Sequence, residues 1–456
     1  MKKMLTLIFI FLFILDANSN LLRNLQTNSN PFDYSEYTAT SVNENLFNEE
    51  LSCSTKDQSV VYIVVSDLII DNSGISKTLG DSSNIKDSQL YGVNSAVLVQ
   101  GGGVIINDGA ISTASIGAHA ICATNNGKIN ISGTTIVSTG KSTASGLYAT
   151  YGGNIIAKDI TASTSGESSA TLGTDIGDGT ITCTDCSLLS SGEGSPLIYS
   201  KGNMIISKTT GTSDGAQAVI VNGKSTTTIT NLSHLKCKGI GNTNNVDKCA
   251  IMIYQSLTKD SENGISTFNC ENSKIEIISE SSVYSSAPIF FITNTYANIN
   301  LNECTFIYGS KVFLSISGTS EWGKMGDNGG NVVLNLNNQY IDGNFIVDDY
   351  SELTLKMENS TIKGAINNNK NANKLEIILD SYSSIILTGN SYYTFIKNED
   401  TTGKNIINGS YSLSYYDKAK KDDDDDDNDD STISPVKTSS GNNYSIFICI
   451  IFILLI

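Results

Sequence analysis

The sequence predicts an all-β protein, a single-stranded right-handed parallel β-helix of about 11–13 coils, and three observations carry that expectation. A short apolar strand returns every 22 to 26 residues, at 96–99 (AVLV), 120–123 (AICA), 146–149 (GLYA), 170–173 (ATLG), 196–199 (PLIY) and 218–221 (AVIV). A turn glycine follows it, at Gly103, Gly127, Gly153, Gly179 and Gly202, and each opens an alternating segment such as 104–107 (VIIN) or 203–206 (NMII). A third segment, rich in Ser and Thr, starts at Ile111, Ile136, Ile160 and Leu188 and closes at Gly140, Gly166, Gly192 and Gly215. A repeat made only of strands and turns cannot bury an apolar face alone, so the copies must stack, with three strands and three turns to a coil.

The chain divides in order as follows. Lys2 and Lys3 precede an apolar run over 4–15, and Ala17-Asn18-Ser19 offers small residues, so 1–19 is expected to be a secretory signal peptide. Residues 20–59 are assigned to an N-terminal extension or cap, and 60–416 to the β-helix. Within the helix, period-two patterning broken by Gly, Asn and Asp marks strands and tight corners. No stretch outside the termini keeps helical spacing, so no helix is expected.

Rungs about 4.8 Å apart give a rod roughly 50–60 Å long. Equivalent residues then form columns, one of them aligned as Leu98, Cys122, Tyr148, Leu172, Ile198 and Ile220. The pattern continues less evenly through 250–253 (AIMI), 288–291 (PIFF) and 312–315 (VFLS), with insertions at 254–267 and 319–331. Loops that grow from a solenoid corner commonly build its working surface, which points to the second half for a site.

Residues 417–445 form an acidic linker expected to be disordered: 422–430 hold eight aspartates interrupted by Asn428, after Lys418, Lys420 and Lys421. The apolar tail 446–456 is too short to span about 30 Å of hydrocarbon as a helix. Its polar spacer and small residues have the layout of a glycosylphosphatidylinositol signal, with Ser431 as the lipid-attachment site on spacing and Ser440 or Gly441 as alternatives. The expected location is therefore the cell surface, reached by secretion, with the membrane a partner through that anchor.

The net charge of -17 argues against nucleic acid and against docking on anionic membranes. Four sequons, at Asn130, Asn231, Asn359 and Asn408, are candidate glycosylation sites, and Asn130 alternates with Ile129 and Ile131 and should face outward. Of nine cysteines, eight remain once Cys449 leaves with the tail, an even count that suits an oxidising compartment. Cys237 with Cys249 and Cys270 with Cys304 are the disulfide candidates. Cys183-Thr-Asp-Cys186 lacks a second pair at ligand spacing and reads as a local disulfide or two packed thiols, not as a zinc site.

Four segments stand out, Ser145-Gly-Leu-Tyr-Ala-Thr-Tyr-Gly-Gly153, Met252-Ile-Tyr-Gln-Ser256, Ile292-Thr-Asn-Thr295 and Trp322-Gly-Lys-Met-Gly-Asp-Asn-Gly-Gly330. On these, over about 60–415, the chain resembles the right-handed parallel β-helix proteins of the pectate-lyase-like superfamily, and more closely the adhesin-like surface proteins of that fold in anaerobic microbes. The resemblance implies the fold, and it raises the question of a polysaccharide lyase or glycoside hydrolase.

The residues argue against catalysis. The lyases of that superfamily use a basic side chain, usually arginine, and the one arginine, Arg23, precedes the rod. The hydrolases' Asn-Thr-Asp, Gly-His-Asp and Arg-Ile-Lys motifs are absent, and Asp348-Asp349 reads as two exposed turn residues. His119 and His234 read likewise as exposed turn residues, so no metal or catalytic constellation assembles and no cofactor is expected. Ligand contacts are expected from Trp322, Tyr254, Tyr296, Tyr340 and Tyr350 near the second-half loops, because aromatic faces stack on sugar rings. Tyr392, Tyr393, Tyr411, Tyr415 and Tyr416 are read as a cap on the last coil. The functional expectation is a monomeric, non-catalytic adhesin that binds polysaccharide or cell-surface glycan, with a lyase or hydrolase and a structural coat protein as the alternatives.

Overall fold

A computed structural model describes residues 32, 38–241, 246–257, 263–324 and 326–418. The predicted signal peptide, Ser431, the aspartate block and the apolar tail lie outside the described residues.

The strands stack into three parallel faces. Sheet 1 has twelve strands, from Ala39–Val42 to Asn344–Val347; sheet 2 has fourteen, from Leu46–Phe47 to Phe395–Asn398; sheet 3 has ten, from Glu50–Cys53 to Thr305–Ile307. A four-stranded ladder from Tyr340–Asp342 to Ile406–Ile407 continues the third face, and Ser391–Tyr393 pairs with Leu413–Tyr415. Neighbours in a sheet pair in parallel, as Lys128–Ser132 does with the strands before and after it. The chain is a parallel β-helix, and the crossover rule for parallel strands gives it a right hand. Fourteen rungs in sheet 2 exceed the expected number. The first rung already begins at Ala39, inside the stretch assigned to the extension.

Period-two patterning places the core. In Gly103–Asn107 the buried positions are Val104 and Ile106, and the same two positions recur as Ile129 and Ile131, then Ile155 and Ala157, in one apolar interior. At the corner between sheets 2 and 3 most rungs have a residue at positive φ, including Asn48, Asn72, Asp108, Asp159 and Asp185. Asn and Asp tolerate this conformation better than other side chains, and their backbone N–H groups donate to the next rung, as Asn72 does to Asn107. Where the third face changes ladder, Gln339 bridges the gap: its Oε1 accepts from the Cys304 N–H at 2.8 Å, and its Nε2 donates to the Cys304 carbonyl at 2.6 Å.

Several expectations need correction. Register pairs Tyr148 with Gly173 and Gly173 with Tyr199, while Leu172 pairs with Leu147 and Ile198. The outward column is therefore Leu98, Cys122, Tyr148, Gly173, Tyr199 and Ile220, and Leu172 and Ile198 point inward. The tyrosine ring sets the slip, because a Cβ at Gly173 would strike the ring of Tyr148.

A helix does form, Ile85–Tyr91, with Asn84 as N-cap and Gly92 as left-handed C-cap. Seven residues are too few to leave a periodic signal. Cys237 and Cys249 are not bonded: Cys237 lies in the interior core, whereas Cys249 packs in an outer cluster with Tyr199 and Met252. Burial pushes the Cys237 thiol up to about 12. Cys270–Cys304 and Cys183–Cys186 are the disulfides. His119 is buried, stacked 4.0 Å from the Tyr148 ring, and His234 is half-buried beside Glu276 at 2.8 Å.

Candidate functional site

The outer face of sheet 2 changes character along the rod. From Thr226–Thr230 the strands lengthen to Ile265–Glu271, Thr295–Asn302, Gly330–Asn337 and Glu352–Glu358, so the face widens in the second half. Residues alternate inward and outward along each strand. The outward positions Thr228, Asn269, Asn300, Asn335 and Lys356 fall in register on successive rungs.

Their amides form a ladder. Asn269 Nδ2 donates to Thr228 Oγ1 at 3.0 Å, Asn300 Nδ2 to Asn269 Oδ1 at 2.8 Å, and Asn335 Nδ2 to Asn300 Oδ1 at 2.7 Å. A carboxamide has two N–H donors and two acceptor lone pairs, and the ladder uses one donor of each asparagine. A second donor and a further lone pair on each rung remain for a ligand, repeated about every 4.8 Å. A second outward row runs alongside through Glu271, Asn302, Asn337 and Glu358. Together the two rows line a shallow groove of about 430 Å³.

The charges of the groove sit apart. Glu271 and Glu358 are separated by three rungs, about 14 Å at the spacing of parallel strands. Carboxylate pairs that hydrolyse glycosides stand about 5–9.5 Å apart. No group of three potential metal ligands occurs among the described residues.

The five aromatic candidates do not converge. Tyr296 alone lies on the groove face: it is 64% exposed and shares its strand and its outward phase with Asn298, Asn300 and Asn302. Tyr254 is buried, and its hydroxyl accepts from Asn222 Nδ2 at 3.2 Å, which removes its ring from the surface. Trp322 is half-buried against Tyr254 with ring centroids 4.5 Å apart. Tyr340 is exposed at the start of Tyr340–Asp342 on the third face, and Tyr350 is exposed in a turn beyond sheet 1. Asp348 accepts from the backbone N–H groups of Gly318 and Tyr350, so it secures that turn.

The outer face of sheet 1 carries a different array. Tyr62 donates to Gln100 at 2.8 Å, Tyr148 to Asp175 at 3.0 Å, and Lys201 to Asp175 at 2.8 Å, while Asn222 donates to the hydroxyls of Tyr199 and Tyr254. All of these residues are buried. Burial, then the neighbouring Asp175 charge, pushes the Tyr148 hydroxyl well above its ordinary range. A buried, hydrogen-bonded network of this kind stiffens a face, although Gln100 Nε2 has no partner among the described residues.

The signal for the groove is present in the sequence as asparagine alternating with apolar residues, in 298–302 (NINLN) and 335–337 (NLN). Read for period alone it says strand, and the insertions between rungs conceal that the asparagines share a column. All four sequon asparagines, Asn130, Asn231, Asn359 and Asn408, are exposed. A scan of protein-family models finds no match to the chain, and a search of curated proteins finds none either.

Proposed function

We propose that this protein is a non-catalytic binding rod of the cell surface that holds a polysaccharide or cell-surface glycan along the groove of sheet 2. The observation that carries the reading is the ladder Asn269, Asn300, Asn335, whose spare donors and acceptors match sugar hydroxyls, each both donor and acceptor. Tyr296 supplies an exposed ring on the same face for stacking on a sugar plane. The separation of Glu271 from Glu358 supports binding without hydrolysis. The protein's negative charge favours a neutral glycan over an acidic one. Secretion and a lipid anchor at Ser431 complete the proposal on the sequence signals described above.

Retention on immobilised neutral polysaccharides, with product release followed in the same samples, tests it. The intact chain is expected to be retained without new reducing or unsaturated ends, and Asn300→Ala with Asn335→Ala to lose retention while keeping a β-rich far-ultraviolet spectrum. Product release by the intact chain, or full retention by the double variant, refutes it.

A further inference from the structure

We propose that Asn130 carries an N-linked glycan whose sugars cover an apolar stripe on the first half of sheet 2. The column that becomes the asparagine ladder begins as Ile69, Ile105, Asn130, Ile156, Thr182 and Ile205 on successive rungs. Its four isoleucines are 36–48% exposed, an aligned apolar row on an otherwise polar face. Scattered exposed apolar residues are ordinary, but aligned rows on a sheet invite association.

Asn130 stands in the middle of this row, with Ile105 and Ile156 as its direct register partners on either side. It is exposed and opens the sequon Asn130-Ile-Ser, and among the described residues its side chain has no hydrogen bond like those at two other sequons. Asn231 Nδ2 donates to Ser207 and Asn359 Nδ2 to Asn338, so those amides already serve the corner ladders. A sugar attached at Asn130 Nδ2 emerges between two isoleucines, and the C–H face of its ring has the aliphatic surface to rest on them. The bulk of a glycan is solubilising and confined to the surface. Asn130 is four rungs from Thr228, about 19 Å, so its glycan leaves the groove open.

The inference rests on the secretory reading above, and the experiment separates the two. The full chain is produced through a eukaryotic secretory host, and released peptides are mapped by mass after enzymatic deglycosylation in heavy-oxygen water. Conversion of Asn130 to labelled aspartate is expected. Asn130→Gln and Ser132→Ala, which both abolish the sequon, are expected to raise hydrophobic-dye fluorescence and lose monodispersity in light scattering. Adding Ile105→Ser and Ile156→Ser to Asn130→Gln is expected to restore both. Asn130 unmodified beside other occupied sequons overturns this inference alone, whereas no occupied sequon overturns the secretory reading with it. Sequon variants as monodisperse as the parent also overturn it.

Discussion

His119 illustrates how a single side chain couples this fold to pH. Its Nδ1 accepts from the Ser145 N–H at 3.1 Å, its ring stacks on Tyr148, and burial lowers its pKa from the ordinary 6.5 to about 3. The folded chain therefore holds it neutral where the unfolded chain takes up a proton. Between pH 6.5 and pH 3 the unfolded state binds more protons, so this contribution to stability is intact above pH 6.5 and falls as the pH drops. The loss between pH 7 and pH 4.5 is about 2–3 kcal/mol. Urea unfolding at those two pH values is expected to show a smaller acid loss for His119→Asn than for the parent, and equal losses would contradict the assignment. The sequence reads His119 as an exposed turn residue, whereas it lies buried just ahead of Ile121–Thr124. What it concealed is the partner, because Tyr148 lies one rung on and 29 residues of chain separate the two.

Elements show the same division between pattern and contact. The turn glycines Gly103 and Gly192 give the same sequence signal, yet their surroundings differ. A Cβ at Gly192 would overlap the Gly166 carbonyl, and one at Gly215 the Gly192 carbonyl, in a column where backbones touch. A Cβ at Gly103 meets nothing closer than 3.7 Å. Gly192→Ala is expected to cost about 1–3 kcal/mol by overpacking and Gly103→Ala to stay within about 0.5 kcal/mol, measured by equilibrium unfolding.

The disulfides divide likewise. Cys270–Cys304 closes 34 residues and ties two rungs, whereas Cys183–Cys186 closes three. In the chain-entropy description, replacing the first pair by serine costs about 3–4 kcal/mol and the second less than about 2 kcal/mol. Equal costs for the two would contradict it. One-coil spacing made Cys270–Cys304 legible. The proximity of Cys237 and Cys249 in sequence misled, because a corner places them in different packing layers.

For the whole molecule, the β-helix was legible because three strand signals recur in phase, and phase is what stacking preserves. The register was less so. Small shifts such as 170–173 against 146–149 are decided by which ring fills which gap, as Tyr148 over Gly173 shows. The proposed binding face was hidden for a related reason: aromatic residues attract attention singly, while Asn269, Asn300 and Asn335 stand out only as a column. Tyr254 and Trp322 were placed at a surface by their loops, and packing turned them toward each other.

The rod thus presents a buried, hydrogen-bonded network on sheet 1 and a solvent-accessible polar ladder with spare donors and acceptors on sheet 2. Binding is predicted where hydrogen-bonding capacity is left over. Crystals of the protein grown with a neutral oligosaccharide that it retains provide the most direct test. Density for sugar is expected over Asn269, Asn300 and Asn335, bonded to their amides; sugar at the Trp322 loop with the ladder bare would contradict binding along sheet 2.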